Sequence, residues 1–179
     1  MDIVHANPED ARAVAEIHVE AWRAAYRSIV PTDYLASLSI ERREAMWGEC
    51  IAAGDPELLV AKKDGAVKGW LSFGPCRDIG EHKSEAEIWA LYVSPMAWST
   101  GVGRVLWLRA KELMLVQGFK SCSLWVFPQN ERAIKFYRSI GFAHDGAAPK
   151  NFELGGARLQ EVRFVTQLLG SLVTKDKQC

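Results

Sequence analysis

Two stretches decide how this chain folds. They are Ser99-Thr100-Gly101-Val102-Gly103-Arg104-Val105-Leu106 and Asn130-Glu131-Arg132-Ala133-Ile134-Lys135-Phe136-Tyr137-Arg138-Ser139-Ile140-Gly141-Phe142. Each opens a helix just after an extended segment. Before the first, Ala86 to Val93 reads as a strand whose strict alternation puts Glu87, Trp89, Leu91 and Val93 on one face. After it, Val102, Val105, Leu106, Ala110, Leu113 and Met114 recur at helical spacing until Gly118. Before the second, Phe119 to Phe127 alternates as a strand; Asn130 is a cap and Gly141 a stop. The glycines leave bare amides at the positive end of a helix, the physics of an anion site. They also fit a plain strand-to-helix turn, and by itself the stretch leaves both readings open.

Upstream, Asp2 to His5 is a short strand. Asn7-Pro8-Glu9-Asp10 starts a helix that carries Val14, Ile17, His18, Ala21, Trp22 and Ala25 on one side and stops at Pro31. A short turn through Tyr34 and Leu35 and a helix from Ile40 to Ala53 follow. Then the period changes: Glu57 to Lys63 and Ala66 to Phe73 flank Asp64-Gly65, a two-residue hairpin signal. A polar loop runs from Gly74 to Ser84. Downstream, Phe152 to Leu154 and Arg158 to Leu168 form a last strand pair around Gly155-Gly156. This order predicts an α+β fold with a mixed sheet of six to seven strands flanked by helices. It reads as one domain over residues 1–173, with residues 174–179 as a frayed tail.

Composition agrees with a folded domain. The chain has 179 residues, 49% of them hydrophobic and 25% charged, with 22 basic and 22 acidic side chains. A net charge of zero argues against nucleic acid as the partner. No apolar run reaches the roughly 20 residues of a membrane span, and no leader is expected at the N-terminus. Cys50, Cys76, Cys122 and Cys179 are too scattered for a disulfide framework, so a cytoplasmic protein is expected. Scattered histidines without H-E-x-x-H give no metal site. A P-loop would need Lys where Arg104 stands, and a dinucleotide fingerprint would need Gly or Ala at Leu106.

Residues Ala86 to Gly141 resemble the GNAT superfamily of acetyl-CoA-dependent N-acetyltransferases. Val93-Ser94-Pro95 matches the exit of its central strand. Gly101-Val102-Gly103 matches its pyrophosphate loop, and Asn130 to Phe142 matches its signature N-x-x-A-x-x-F-Y-x-x-x-G-F. Trp98 departs from the family's Gln or Arg, and Ser99 from a common Gly. Arg104 is then either the loop's cation or a solvated helix residue. The resemblance implies a sheet splayed between the strands before and after the long helix. Acetyl-CoA would lie there as co-substrate along Leu91, Tyr92 and Val93, on the loop Thr100, Gly101, Val102, Gly103, Arg104 and Val105, and against Asn130, Ala133 and Tyr137. The Val93 amide would face the thioester oxygen, an oxyanion contact worth about 2.7–4 kcal/mol.

Tyr137 matches the family's general acid. Glu87, 14 residues before Gly101, is the expected base, with Glu85 behind it; the bland alternative for Glu87 is an ion pair with Arg77 or Lys83. Trp22, Tyr26, Tyr34 and Trp89 are expected to line the acceptor site. The first helices resemble the phosphinothricin-acetyltransferase-like branch, which implies direct acetyl transfer to the primary amine of a small molecule. The alternatives are a protein N-terminal or lysine acetyltransferase and a non-catalytic acyl-CoA-binding domain. A homodimer would use the exposed face of the last hairpin.

Overall fold

The computed structural model describes residues 1–78, 80 and 84–168. The tail at residues 174–179, Cys179 and Lys83 lie outside the described residues. In chain order the elements are β1 (Asp2–His5), α1 (Ala11–Ala25), α2 (Thr32–Ala36), α3 (Ile40–Ala53), β2 (Glu57–Lys63), β3 (Ala66–Pro75), β4 (Glu85–Val93), α4 (Val102–Val116), β5 (Ser121–Val126), α5 (Glu131–Ser139), β6 (Ala143–His144), β7 (Lys150–Leu154) and β8 (Ala157–Gln167). The strands form a mixed sheet of eight, ordered β1-β2-β3-β4-β5-β8-β6 with β7 paired to β8. That is one more strand than expected. The extra one, β6, has two residues, too few to show a period.

Local chemistry sets most element ends where the sequence says, but α1 begins at Ala11 after a 3-10 turn at Pro8–Asp10 and closes at Ala25, well before the expected stop at Pro31. The Asn7 side chain accepts from the Glu9 amide at 3.0 Å, and Asp10 accepts from the Asn7 amide at 3.1 Å. Ser39 caps α3 by accepting from the Arg42 amide at 3.2 Å. The run Leu58-Leu59-Val60-Ala61 is apolar throughout because both faces of the sheet are covered. Leu59 and Ala61 point to the layer under α4, with Leu106, Met114, Leu124 and Phe164. Leu58 and Val60 point to α1 and α3, with Val14, Ile17, Trp47 and Trp70.

Two irregularities in β4 shape everything that follows. First, Ser72 pairs with Ala90 and Phe73 with Ile88, so Trp89 is an extra, bulged residue. The bulge reverses the alternation. Ala86, Ile88, Leu91 and Val93 pack on the α4–α5 side, whereas Ala90 and Tyr92 pack on the α1 side. Glu87, opposite in phase to Ala86 and Ile88, belongs to that second side. The expected common face for Glu87, Trp89, Leu91 and Val93 is therefore wrong, because strict alternation does not survive an inserted residue. Second, β4 and β5 pair over only Glu85↔Ser121, Ala86↔Cys122 and Glu87↔Ser123. Beyond these the strands part, as the resemblance implied.

On the α1 side His18 sits in a box of Trp22, Trp47, Trp70 and Tyr92. Its Nδ1 accepts from Trp47 Nε1 at 3.1 Å. Burial pushes the imidazole down to about 3, so it is neutral. An unfolded chain takes up this proton below about pH 6.5, whereas the folded one cannot, so stability falls as pH drops toward 3. Between pH 7 and pH 5 that loss is about 2 kcal/mol. Urea denaturation of His18→Leu at the two pH values should show a loss smaller than wild type by about that amount; equal losses would refute the assignment.

Candidate active site

Where β4 and β5 part, a cavity of about 710 Å³ opens. Ile88 to Val93 form one wall and Leu124 to Phe127 the other. The start of α4 and the face of α5 close one end. Trp22 of α1 and Tyr26 at its end, with Phe152, Leu154 and Glu161 from the last hairpin, close the other.

Backbone polarity in the gap follows from sheet geometry. The Ser94 amide donates to the Lys68 carbonyl at 2.9 Å. In an antiparallel pair, bonded and non-bonded positions alternate, and Val93 pairs with Gly69 and Leu91 with Leu71. Val93 and Leu91 therefore turn their amides and carbonyls away from β3, into the gap. Trp98 Nε1 satisfies the Val93 carbonyl at 2.9 Å. The Val93 amide remains available there.

The glycine loop uses its two glycines differently. Gly101 sits at φ 92°, a left-handed conformation that side chains disfavour. Its carbonyl accepts the Arg104 and Val105 amides at 3.0 and 3.1 Å. That leaves the Val102 and Gly103 amides without partners among the described residues, at the positive end of α4. At Gly103 a Cβ would come within 3.1 Å of the Phe136 ring, so this glycine lets α5 approach α4. The cation at the loop is Arg132, whose guanidinium carbon lies 3.1 Å from the centroid of the Trp98 ring. Arg104 reaches across to Ser139, donating to its carbonyl at 3.4 Å and its Oγ at 3.3 Å.

Tyr137 is buried on the cavity wall. Burial pushes its phenol well above the ordinary tyrosine range, so it keeps its proton at neutral pH. Tyr92 Oη accepts from Trp22 Nε1 at 2.8 Å. Burial raises the Tyr26 and Tyr92 phenols. Asn130 lines the cavity and caps α5, accepting from the Ala133 amide at 3.2 Å.

Of the expected site residues, Leu91, Tyr92, Val93, Gly101, Val102, Gly103, Arg104, Asn130, Ala133, Tyr137, Trp22, Tyr26 and Trp89 all line this cavity. Thr100, Val105, Tyr34 and Glu87 are not on its walls. Thr100 Oγ1 donates to the Ala97 carbonyl at 2.7 Å. The Val105 amide belongs to the helix. Tyr34 packs under the last hairpin's turn, where a Cβ on Gly155 would fall 2.7 Å from its own. Glu87 is 1% exposed. Its carboxylate accepts from Arg77 through the amide at 2.9 Å, Nε at 3.2 Å and Nη2 at 2.5 Å. The Arg77 guanidinium also stacks 4.4 Å from the Trp89 ring centroid.

Arg132, Trp125, Phe152, Leu154 and Glu161 line the cavity without having been expected there. Arg132 left a signal: a cation in the first turn opposes the helix dipole and calls for another reason. Among the described residues, no group of three or more His, Cys, Asp or Glu is placed to hold a metal ion, and no helix is long and apolar enough to cross a membrane.

Comparison with known proteins agrees with this geometry. The model of the acetyltransferase (GNAT) family matches residues 12–142. An uncharacterized N-acetyltransferase, YuaI, of Bacillus subtilis (strain 168) is 37% identical over 93% of this chain and 92% of its own. A spermidine N(1)-acetyltransferase of Thermoplasma acidophilum is 27% identical over 75% of this chain and 83% of its own. The crystal structure of the PaiA N-acetyltransferase from Thermoplasma acidophilum, in complex with coenzyme A, superposes with a TM-score of 0.75 at 23% identity. That match covers 93% of this chain and 99% of the other. The chain belongs to the GNAT family of acetyltransferases. It is a transferase of the N-acetyltransferase class.

Arg77→Met would leave the Glu87 carboxylate buried beside a single amide donor. It should cost about 1–3 kcal/mol in urea denaturation at pH 7. Adding Glu87→Gln should recover part of that loss. A single variant as stable as wild type would show the pair to be dispensable.

Proposed function

We propose that this protein transfers an acetyl group from acetyl-CoA directly to the primary amine of a small molecule. The observation that carries the reading is the shape of the cavity. It lies in the strand gap, carries two arginines and free helix amides at one end, and is roofed by α1 and the last hairpin at the other. A roofed, aromatic chamber suits a small acceptor better than a peptide, which needs an open groove.

The residues present fit the co-substrate. Val102 and Gly103 amides, with Arg132 on its Trp98 platform, would hold the pyrophosphate. Leu91 and Val93 would hydrogen-bond the pantetheine arm through backbone groups turned into the gap. The Val93 amide would stabilise the oxyanion that develops when the amine attacks the thioester carbon. Tyr137, held protonated by burial, would give its proton to the departing sulfur.

Titration calorimetry with acetyl-CoA, using ATP and NAD as controls, should show saturable binding to acetyl-CoA alone. Arg132→Ala should weaken it roughly tenfold or more, the value of a charge-assisted hydrogen bond, whereas Arg104→Ala should change it less. Tyr137→Phe should keep the affinity and lower kcat by about 10²–10⁴-fold. Failure to bind acetyl-CoA would overturn the reading. Thiol release with peptides exceeding that with free amines would overturn the small-molecule part.

A further inference from the structure

Glu161 is the only carboxylate among the described residues that line the cavity, and it stands at the end away from the arginines. No hydrogen bond or ion pair within the described residues engages it. Its neighbours explain why. Lys150 lies directly opposite in the β7–β8 register, but its Nζ is 2.5 Å from Asp78 and 3.9 Å from the Trp125 ring centroid. Arg77 is held by Glu87 at 2.5 Å. Arg163, two residues along the same face of β8, is shared among Asp145 at 2.5 Å, Asp78 at 3.1 Å and Glu85. Among the described residues, Lys150, Arg77 and Arg163, the cations around Glu161, are therefore each engaged by another acid. A half-buried carboxylate in an apolar chamber lacks the partner that would offset its desolvation.

We propose that Glu161 binds the acceptor's ammonium and takes its proton, and that the acceptor carries this amine on an apolar or aromatic body with no carboxylate beside the nitrogen. This rests on the acetyltransfer reading of the cavity. An ammonium supplies the missing counter-charge, and Trp22, Tyr26, Trp89, Trp125 and Phe152 surround it with aromatic surface. A carboxylate next to the amine would meet Glu161 with no unengaged cation nearby. A polyamine would bring several charges to a single acid.

The carboxylate lines the same cavity as Tyr26, Tyr92, Val93 and Tyr137. In the reaction the ammonium loses one proton to Glu161 and on to solvent. The nitrogen then bonds to the acetyl carbon, and the C–S bond breaks as the intermediate collapses. The second nitrogen proton is relayed through Tyr137 to the sulfur, leaving amide and free thiol. The groups facing Glu161 are Tyr26 at the end of α1, Tyr92 and Glu87 from β4, Arg77 from the loop between β3 and β4 and Lys150 from β7. Burial raises the carboxyl above the usual range despite Arg77 and Lys150. Activity therefore grows as Glu161 ionises, along an acid limb above ordinary carboxylate pH.

The test uses 2-phenylethylamine, L-phenylalanine and spermidine with wild type, Glu161→Gln and Glu161→Asp. It reads acetyl-CoA affinity, 2-phenylethylamine binding to the CoA-loaded protein, and kcat/KM against pH. Wild type should prefer 2-phenylethylamine to the other two by about 100-fold or more. Glu161→Gln should keep acetyl-CoA affinity within about twofold, lose about 100-fold or more in kcat/KM and lose the acid limb. Glu161→Asp should recover both in part. Preference for L-phenylalanine or spermidine, or an unchanged Glu161→Gln profile, overturns the inference. So does a protein that holds acetyl-CoA yet neither binds nor acetylates 2-phenylethylamine. Loss of acetyl-CoA binding in wild type instead overturns the acetyltransfer reading itself.

Discussion

The structure depends on two adjacent strands that stop pairing after three residue pairs. Parting a sheet in its interior strands backbone polar groups, which costs free energy unless each finds a partner. This fold handles the cost residue by residue. The bulge at Trp89 bends β4 away from β5. The Trp98 indole satisfies the Val93 carbonyl. Among the described residues, the Val102 and Gly103 amides are left without partners, and the Leu91 backbone groups and the Val93 amide turn into the same chamber. On the proposed reading, a ligand with phosphate and carbonyl oxygens in that order would complete the sheet.

The same chamber is polarised by what its neighbours do with their charges. At the floor of the gap Arg163 holds Glu85, Asp78 and Asp145, Lys150 holds Asp78, and Arg77 holds Glu87. These pairs tie β4, β7 and β8 together just below the point of parting. They also engage Arg77, Lys150 and Arg163 around Glu161, while Arg132 and Arg104 stand at the other end of the chamber. On the proposed reading, an anionic donor and a cationic acceptor would be drawn to opposite ends and would meet at Val93 and Tyr137.

Local features were legible in the sequence, and features that need the third dimension were not. Helix caps, the hairpin at Asp64-Gly65, the glycine loop and the Asn130–Phe142 signature all act over a few residues, and each lies where its chemistry predicts. The bulge at Trp89 was invisible because an inserted residue has no compositional mark, and it misplaced one face of β4. Thr100, Val105 and Tyr34 were placed at the site by the family resemblance, and in the structure their groups contact the turn, the helix and the hairpin base. Glu161 lies in a strand that alternates like any other. Only the pairing of its would-be partners elsewhere singles it out.

The aromatic excess takes on meaning in this light. Of the seven tryptophans, six give their N–H to a named acceptor. Trp22 bonds Tyr92, Trp47 bonds His18, Trp70 the Val14 carbonyl, Trp89 the Pro75 carbonyl, Trp98 the Val93 carbonyl and Trp125 Asp78. A large ring anchored at its polar edge has little rotational freedom. Trp22, Trp89, Trp98 and Trp125 are all on the cavity wall. A neutral His18 stacks on Trp22 and contacts Trp47 and Tyr92, so the core's own packing fixes the roof. A wall held this way does not reshape around its guest. On the proposed reading, selection among amines would fall to the shape of the chamber and to Glu161, the one carboxylate among the described residues that line it.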